Sequence, residues 1–274
     1  MVNSRVFTIF VVFALSALAR TQQFTSVVVK PSASSAPGAS RLQFLPNGDL
    51  IGHSIPVIEL IGLAYALPDN PSPRLASIPD WAVRERFDID AKTSASLKLG
   101  TKDIQAQRRT IQKLLQMLLK DNFGLLLKVR TVTTPIYALT ISVDDEKLTT
   151  STIRPTDCIL DIGSDGCHSF AIGFGHPLNT RGADMSDLAL YLENWTDLPV
   201  VDRTATTGLF AMHSQGWQQM NLPPAPPGAA GTGTEFGSLT KLSAVLDGLG
   251  LQLHREEGRL PFYTVERLDH PNAR

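Results

Sequence analysis

A leucine-rich segment followed by a glycine and two β-prone stretches occurs twice in this chain, about half a chain apart, and this recurrence limits the fold more than any other feature. The first occurrence begins at Leu114 (LLQMLLKDNFGLLLKVRTVTTPIYALTI) and the second at Lys241 (KLSAVLDGLGLQLHREEGRLPFYTVERL). With one residue deleted between helix and glycine, Leu115, Leu118, Leu119, Phe123, Gly124, Leu125, Leu127, Pro135 and Tyr137 correspond to Leu242, Val245, Leu246, Leu249, Gly250, Leu251, Leu253, Pro261 and Tyr263. One helix on one hairpin cannot bury its apolar faces alone. The pattern therefore predicts an α+β fold of internally duplicated helix-on-hairpin units, with short helices packed on antiparallel sheets. Residues 24–148 and 156–274 are the expected halves, the second carrying a Pro/Gly-rich loop at 221–234.

Local patterns fill in the halves. Phe24–Lys30 is β-branched and ends at Pro31, which predicts an opening strand before the Ser/Ala/Pro/Gly-rich loop 31–40. Arg41–Phe44 and Asp49–His53 flank Pro46-Asn47-Gly48 as a strand pair. Pro56 opens a short helix to Leu67, and Phe87–Ala91 forms a half-buried strand. Lys102–Asn122 has its apolar residues Ile111, Leu114, Leu115, Leu118 and Leu119 on one face, with Thr101 as N-cap and Gly124 as the left-handed stop. The charged residues Lys102, Arg108, Arg109 and Lys113 are then expected on its solvated side. Leu125–Val129 and Tyr137–Val143 alternate as the two arms of a hairpin, with Pro135 at the start of the second arm. In the second half Met185–Leu192 is a short amphipathic helix, Val200-Val201 and Leu209–His213 are strands, and a helical stripe from Leu239 to Leu249 leads into the closing hairpin.

The N-terminus points to export. Residues 1–19 combine one early positive charge, an uninterrupted run of apolar and small residues from Val6 and small residues at Ala17 and Ala19, the arrangement of a cleaved signal peptide. Its apolar stretch spans about 21 Å as a helix, short of the roughly 30 Å hydrocarbon layer. A secreted or periplasmic location follows, with no membrane span after cleavage. The near balance of 25 basic and 26 acidic side chains argues against a general nucleic-acid binder, which needs a basic face. An oxidising compartment also makes a disulfide between Cys158 and Cys167 the leading expectation for the only two cysteines. Zinc is the competing reading because His168 and His176 follow, yet the paired C-x-x-C ligands of a structural site are missing. Calcium is weaker still: Asp157, Asp161 and Asp165 lack the spacing of an EF-hand.

The VVVKPS opening, the LAYALP segment, the PDWAVRERFDIDAK block, the QKLLQMLLKDNFGLLLKVRTVTTPIYAL block, PVVDRTATTGLF and the terminal LGLQLHREEGRLPFYTVERLDHP resemble an exported bacterial family of unknown function, expanded as paralogues in soil acidobacteria. The chain departs from that family's pattern at Ala205, where glycine is usual, and at Ala211, where an aspartate is usual. The resemblance supplies no catalytic residues. Some members are similar to an extracytoplasmic domain fused to BlaR-type membrane metallopeptidases, which implies binding or sensing.

Catalytic signatures are lacking in the sequence. None of His53, His168, His176, His213, His254 or His270 lies in a nucleophile elbow or an H-E-x-x-H helix, and Gly173-Phe174-Gly175 lacks the third glycine of a dinucleotide fingerprint. Asp88 and Asp90 share one side of a strand but read as solvent-facing acids, and Trp81, Trp195 and Trp217 suit a core as well as a cleft. No catalytic, cofactor-binding or metal-ligating residue is therefore assigned. The expectation is a non-catalytic binding or sensory module at the cell envelope, with a protein, peptide or glycan as partner and no cofactor. A secreted hydrolase with carboxylates and histidines around Asp157–His176 is the alternative.

Overall fold

The computed structural model describes residues 23–33, 40–68, 72–94, 97–142, 147–162, 167–170, 178–214 and 239–271. The expected signal peptide and the loop 221–234 lie outside them, as do Asp165, Gly173-Phe174-Gly175, His176 and Trp217. In chain order the elements are β1 (Phe24–Pro31), β2 (Arg41–Phe44), β3 (Leu50–Pro56), α1 (Val57–Tyr65), β4 (Leu75–Ala76), α2 (Asp80–Arg84), β5 (Arg86–Thr93), α3 (Ile104–Phe123) and β6 (Leu126–Ile141). They continue with β7 (Thr149–Thr150), β8 (Asp161–Ile162), β9 (Thr180–Ala183), α4 (Met185–Glu193), β10 (Val200–Asp202), β11 (Phe210–Met212), α5 (Leu239–Gly248) and β12 (Leu251–Arg267). The fold is α+β. No helix of the described residues is long and apolar enough to cross a membrane.

Two of these strands differ from expectation. The stretches read as hairpin arms are each one continuous strand, β6 and β12, and the two pair with each other antiparallel from Leu251 opposite Ile141 to Val265 opposite Leu127. Proline misleads here because it removes a ladder bond only when its nitrogen points at a neighbour. The Tyr137 N–H donates outward to the Pro199 carbonyl, and the Tyr263 N–H donates outward to the Arg74 carbonyl. Odd-numbered residues of both strands therefore turn their backbone groups away from the partner, and Pro135 and Pro261 share that parity. Gly258, which resembles a turn residue, is instead a packing residue: a Cβ there would lie 2.5 Å from Ile136 Cδ1.

The ribbon is the centre of a four-stranded sheet in the order β10-β6-β12-β4, and its flanking strands are short. β10 runs parallel to Tyr137–Leu139 only, and β4 parallel to Tyr263 and Thr264 only. The aligned segments of the sequence take the same local form: helix, left-handed glycine (Gly124 φ 59°, Gly250 φ 73°), long strand. A five-stranded sheet, β1-β5-β3-β2-β8, and a three-stranded one, β7-β11-β9, complete the described architecture.

Apolar side chains collect in two main cores. One joins α1, α3 and the five-stranded sheet through Leu60, Ile61, Phe87, Leu114, Leu115 and Phe123, and takes in Val265 from the far end of β12. The other joins α4, α5 and β11 through Leu188, Leu192, Leu242 and Leu246, and takes in Leu139 of β6. Each long strand thus begins against one core and ends in the other. Local signals explain the helix ends: Asp103, rather than Thr101, caps α3 by accepting the Ala106 N–H, and Gly124 stops it. Pro56 is the extended residue before α1 rather than its first turn. Ala205 adopts a left-handed φ of 54°.

Candidate functional site

The densest cluster of chemistry-bearing side chains forms where α4 begins. Asp184 and Asp187 make a capping box: Asp184 Oδ1 accepts the Asp187 N–H and Asp187 Oδ2 accepts the Asp184 N–H, both at 2.9 Å. These satisfy the first orphan donors of the helix, whose dipole also favours negative charge there. Both acids are buried, however, and two neighbouring carboxylates out of water require cations. Arg108 of α3 supplies one, with Nη2 2.8 Å from each Asp184 oxygen and 2.6 Å from Asp187 Oδ1. His168 supplies the other, with Nδ1 2.7 Å from Asp187 Oδ2.

A disulfide positions that histidine. Cys158 and Cys167 are joined, with Cα atoms 5.2 Å apart, inside a small cluster with Ile104 and Leu209. Cys167 bridges to Gly182, and the His168 N–H donates to the Gly182 carbonyl at 2.8 Å while His168 takes a left-handed φ of 58°. The imidazole is thereby aimed at the start of α4.

Charges in this network shift one another. Burial pushes the Asp187 carboxyl up, but the Arg108 guanidinium and the His168 imidazole outweigh it and hold Asp187 well below the usual range. Burial and the neighbouring Asp187 raise Asp184 against the pull of Arg108. His168 is disfavoured as a cation by burial, yet the Asp187 carboxylate raises it above its ordinary value. Arg108 is raised as well, so it is a permanent cation.

His168, Asp184 and Asp187 each offer a ligand atom within 4.8 Å of the others, the outline of a metal site. The donor set argues against one, because Arg108 already contacts three of the four carboxylate oxygens and would repel a cation. General base catalysis needs a nucleophile within hydrogen-bond reach. His168 Nε2 is buried and meets no such group among the described residues. The cluster is buried and ties α3 to α4. A second buried pair serves a similar end: Arg74, before β4, donates Nε and Nη2 to the two oxygens of Glu193 at the end of α4, at 2.9 and 2.8 Å.

Among the described residues of the stretch Asp157–His176, only His168 enters the cluster. Asp157 is exposed and bound to Arg154. His53, His213 and His254 are exposed, and His270 packs on Trp81 and Phe87 while meeting Glu85 at 2.8 Å. Trp81 and Trp195 pack at the margins of the two cores. Asp88 accepts the Ser54 N–H rather than facing bulk water, and Asp90 pairs with Lys92. Arg108, expected on the solvated side of its helix, is instead largely buried. Reading Asp184-x-x-Asp187 before an apolar run as a capping box would have flagged the two acids; nothing local in the sequence points to Arg108.

A different kind of site lies along β6. Beyond the end of β10, no strand of the described residues pairs with its outer edge, so the outward N–H groups of Val129, Thr131 and Thr133 face no ladder. Val129 is 55% exposed and Leu126 49%. Lys128 and Arg130, on either side of Val129, are exposed, with no ion-pair partner among the described residues. Backbone groups left open in this way are a template for a further strand.

A family model described as a protein of unknown function, DUF3738, matches residues 58–268, most of the chain, and the chain belongs to that family. Neither a curated protein nor a solved structure matches it.

Proposed function

We propose that this protein is an exported, non-catalytic binding module of the cell envelope, and that it works by adding an extended segment of a partner protein to the open edge of β6. The observation that carries this reading is the mismatch in the ribbon: sixteen residues of β6 are paired along β12, but only Tyr137–Leu139 are paired on the other side. The apolar leader at residues 1–19 and the Cys158–Cys167 disulfide support an oxidising, extracytoplasmic setting. The resemblance to domains fused to BlaR-type metallopeptidases favours sensing in the same way, as analogy only. We further read the recurring helix–glycine–strand segments as copies of one ancestral piece, each lending its long strand to the other half.

The hydrolase reading rests on the His168–Asp187 pair, which has the form of an oriented general base. Deep burial and the contacts of Arg108 make it a weaker reading. Titration of the isotope-labelled protein with peptides from an envelope digest tests the binding role. Shifts concentrated at the Val129, Thr131 and Thr133 amides are expected; binding that leaves these amides unmoved contradicts it.

A further inference from the structure

We infer that the partner segment is acidic, with two carboxylate side chains on alternate residues around an apolar one; this rests on the proposed role of the β6 edge. Side chains of a strand alternate between faces, so Lys128 and Arg130 project from one face about 7 Å apart, with Val129 between them on the other. Their neighbours on β12 are Thr264 opposite Lys128 and Phe262 opposite Arg130, both neutral. No acidic residue occurs in the chain between Leu125 and Ser142. Glu266 follows two residues beyond Thr264 but forms no ion pair with Lys128, so two cations stand without an ion-pair partner among the described residues on the open side of a sheet. A strand docked there places every second side chain beside them, at the spacing where cross-strand charge pairs act. The residue between those two falls on the face of Val129, whose exposed isopropyl group, beside the part-buried Tyr263 across the ladder, favours an apolar contact.

Other occupants fit less well. A second copy pairing antiparallel through the same edge would set Lys128 and Arg130 against their own counterparts, and like charges directly opposite are destabilising. The same feature discourages edge-to-edge aggregation. Nucleic acid asks for a broad basic face, whereas β12 beside this edge mixes Arg255, Arg259 and Arg267 with Glu256, Glu257 and Glu266. The geometry therefore selects for an acidic-apolar-acidic segment in extended form.

The test uses the purified oxidised protein and three synthetic hexapeptides, acetyl-Thr-Glu-Val-Glu-Val-Thr-amide and its versions with both Glu replaced by Gln or by Lys. Amide shifts are followed to millimolar peptide. The Glu peptide is expected to move the Val129, Thr131 and Thr133 amides and to bind roughly tenfold tighter than the Lys peptide, the size that two exposed ion pairs supply, with the gap closing as salt is added. The K128E/R130E variant, altered only at exposed positions, should reverse the order while melting like the parent. Equal binding of all three peptides at the edge overturns the acidic preference and leaves the edge as a binding site. Absence of edge shifts with every peptide overturns both.

Discussion

Arg108 of α3 and the Lys128–Arg130 pair of β6 belong to one continuous helix–strand segment, yet the molecule treats their charges in opposite ways. Arg108 is folded inward and meets two carboxylates at hydrogen-bond distance through Nη2, and its Nε is buried without an acceptor among the described residues. Lys128 and Arg130 stay in solvent beside a row of unladdered backbone groups. Chemical richness alone would direct attention to the first region, where four ionisable groups converge. Burial and the ion pairs between α3 and α4 make it a fastener, and the sparser second region is the one whose unmet bonding capacity faces solvent. A site is better recognised by what remains both unpaired and exposed than by how many reactive side chains gather.

The largest effect that would sharpen this contrast comes from Arg108→Met. Removing the guanidinium leaves Asp184 and Asp187 together in a buried site, and a loss of about 3–5 kcal/mol in unfolding free energy is expected from denaturant titration. Edge binding in the folded fraction should be unchanged. A neutral effect on stability would mean that the cluster is not a fastener.

Two proline substitutions test the ribbon's parity. Val132→Pro removes a donor aimed at β12 and should cost about 3 kcal/mol or more, whereas Val129→Pro removes an outward donor and should cost under about 1 kcal/mol while abolishing peptide binding at the edge. Equal costs would break the distinction between covered and open sides. Replacing both cysteines by serine (C158S/C167S) should remove about 2–3 kcal/mol, the chain-entropy value for a loop of this size, and weaken the hold on His168.

A smaller effect is the pH dependence of the fastener. Asp187 is held low, so its contribution is complete above the ordinary carboxylate range and disappears as pH falls through its depressed value. His168 is held high, so its contribution is complete below about 6.5 and disappears as pH rises through its raised value. Asp184, raised, opposes part of the acid-side trend, and Arg108 stays charged throughout. Stability should therefore decline as pH rises above about 6.5 in the parent, and H168N should flatten that decline. Peptide binding at the β6 edge should not follow the same curve, since no histidine lies there.

The helices were legible because their signals are local. Leucine spacing placed α3 within two residues at its start, and Gly124 marked its end, where the backbone turns left-handed. The long strands were not, because a proline and a glycine carry opposite meanings in an edge strand and in a turn. Pro135 and Pro261 point their missing donors outward, and Gly258 is small to admit Ile136; only pairing between distant segments reveals either fact. Arg108 was hidden for a similar reason. Its position on α3 is indistinguishable from that of Arg109 until α4 arrives beside it, bringing Asp184 and Asp187 from far along the chain. The Cys158–Cys167 pair needed only nine residues of separation and the expectation of an oxidising compartment to be anticipated.

Amide hydrogen exchange along β6 in the unliganded protein tests the central claim most directly. A continuous strand with one covered and one open side predicts alternation: slow exchange at Lys128, Arg130, Val132 and Thr134, whose N–H groups face β12, and fast exchange at Val129, Thr131 and Thr133. Uniform protection of both sets would mean that the edge is already covered. Uniformly fast exchange around Pro135 would mean a turn in place of the strand. Either result contradicts the account.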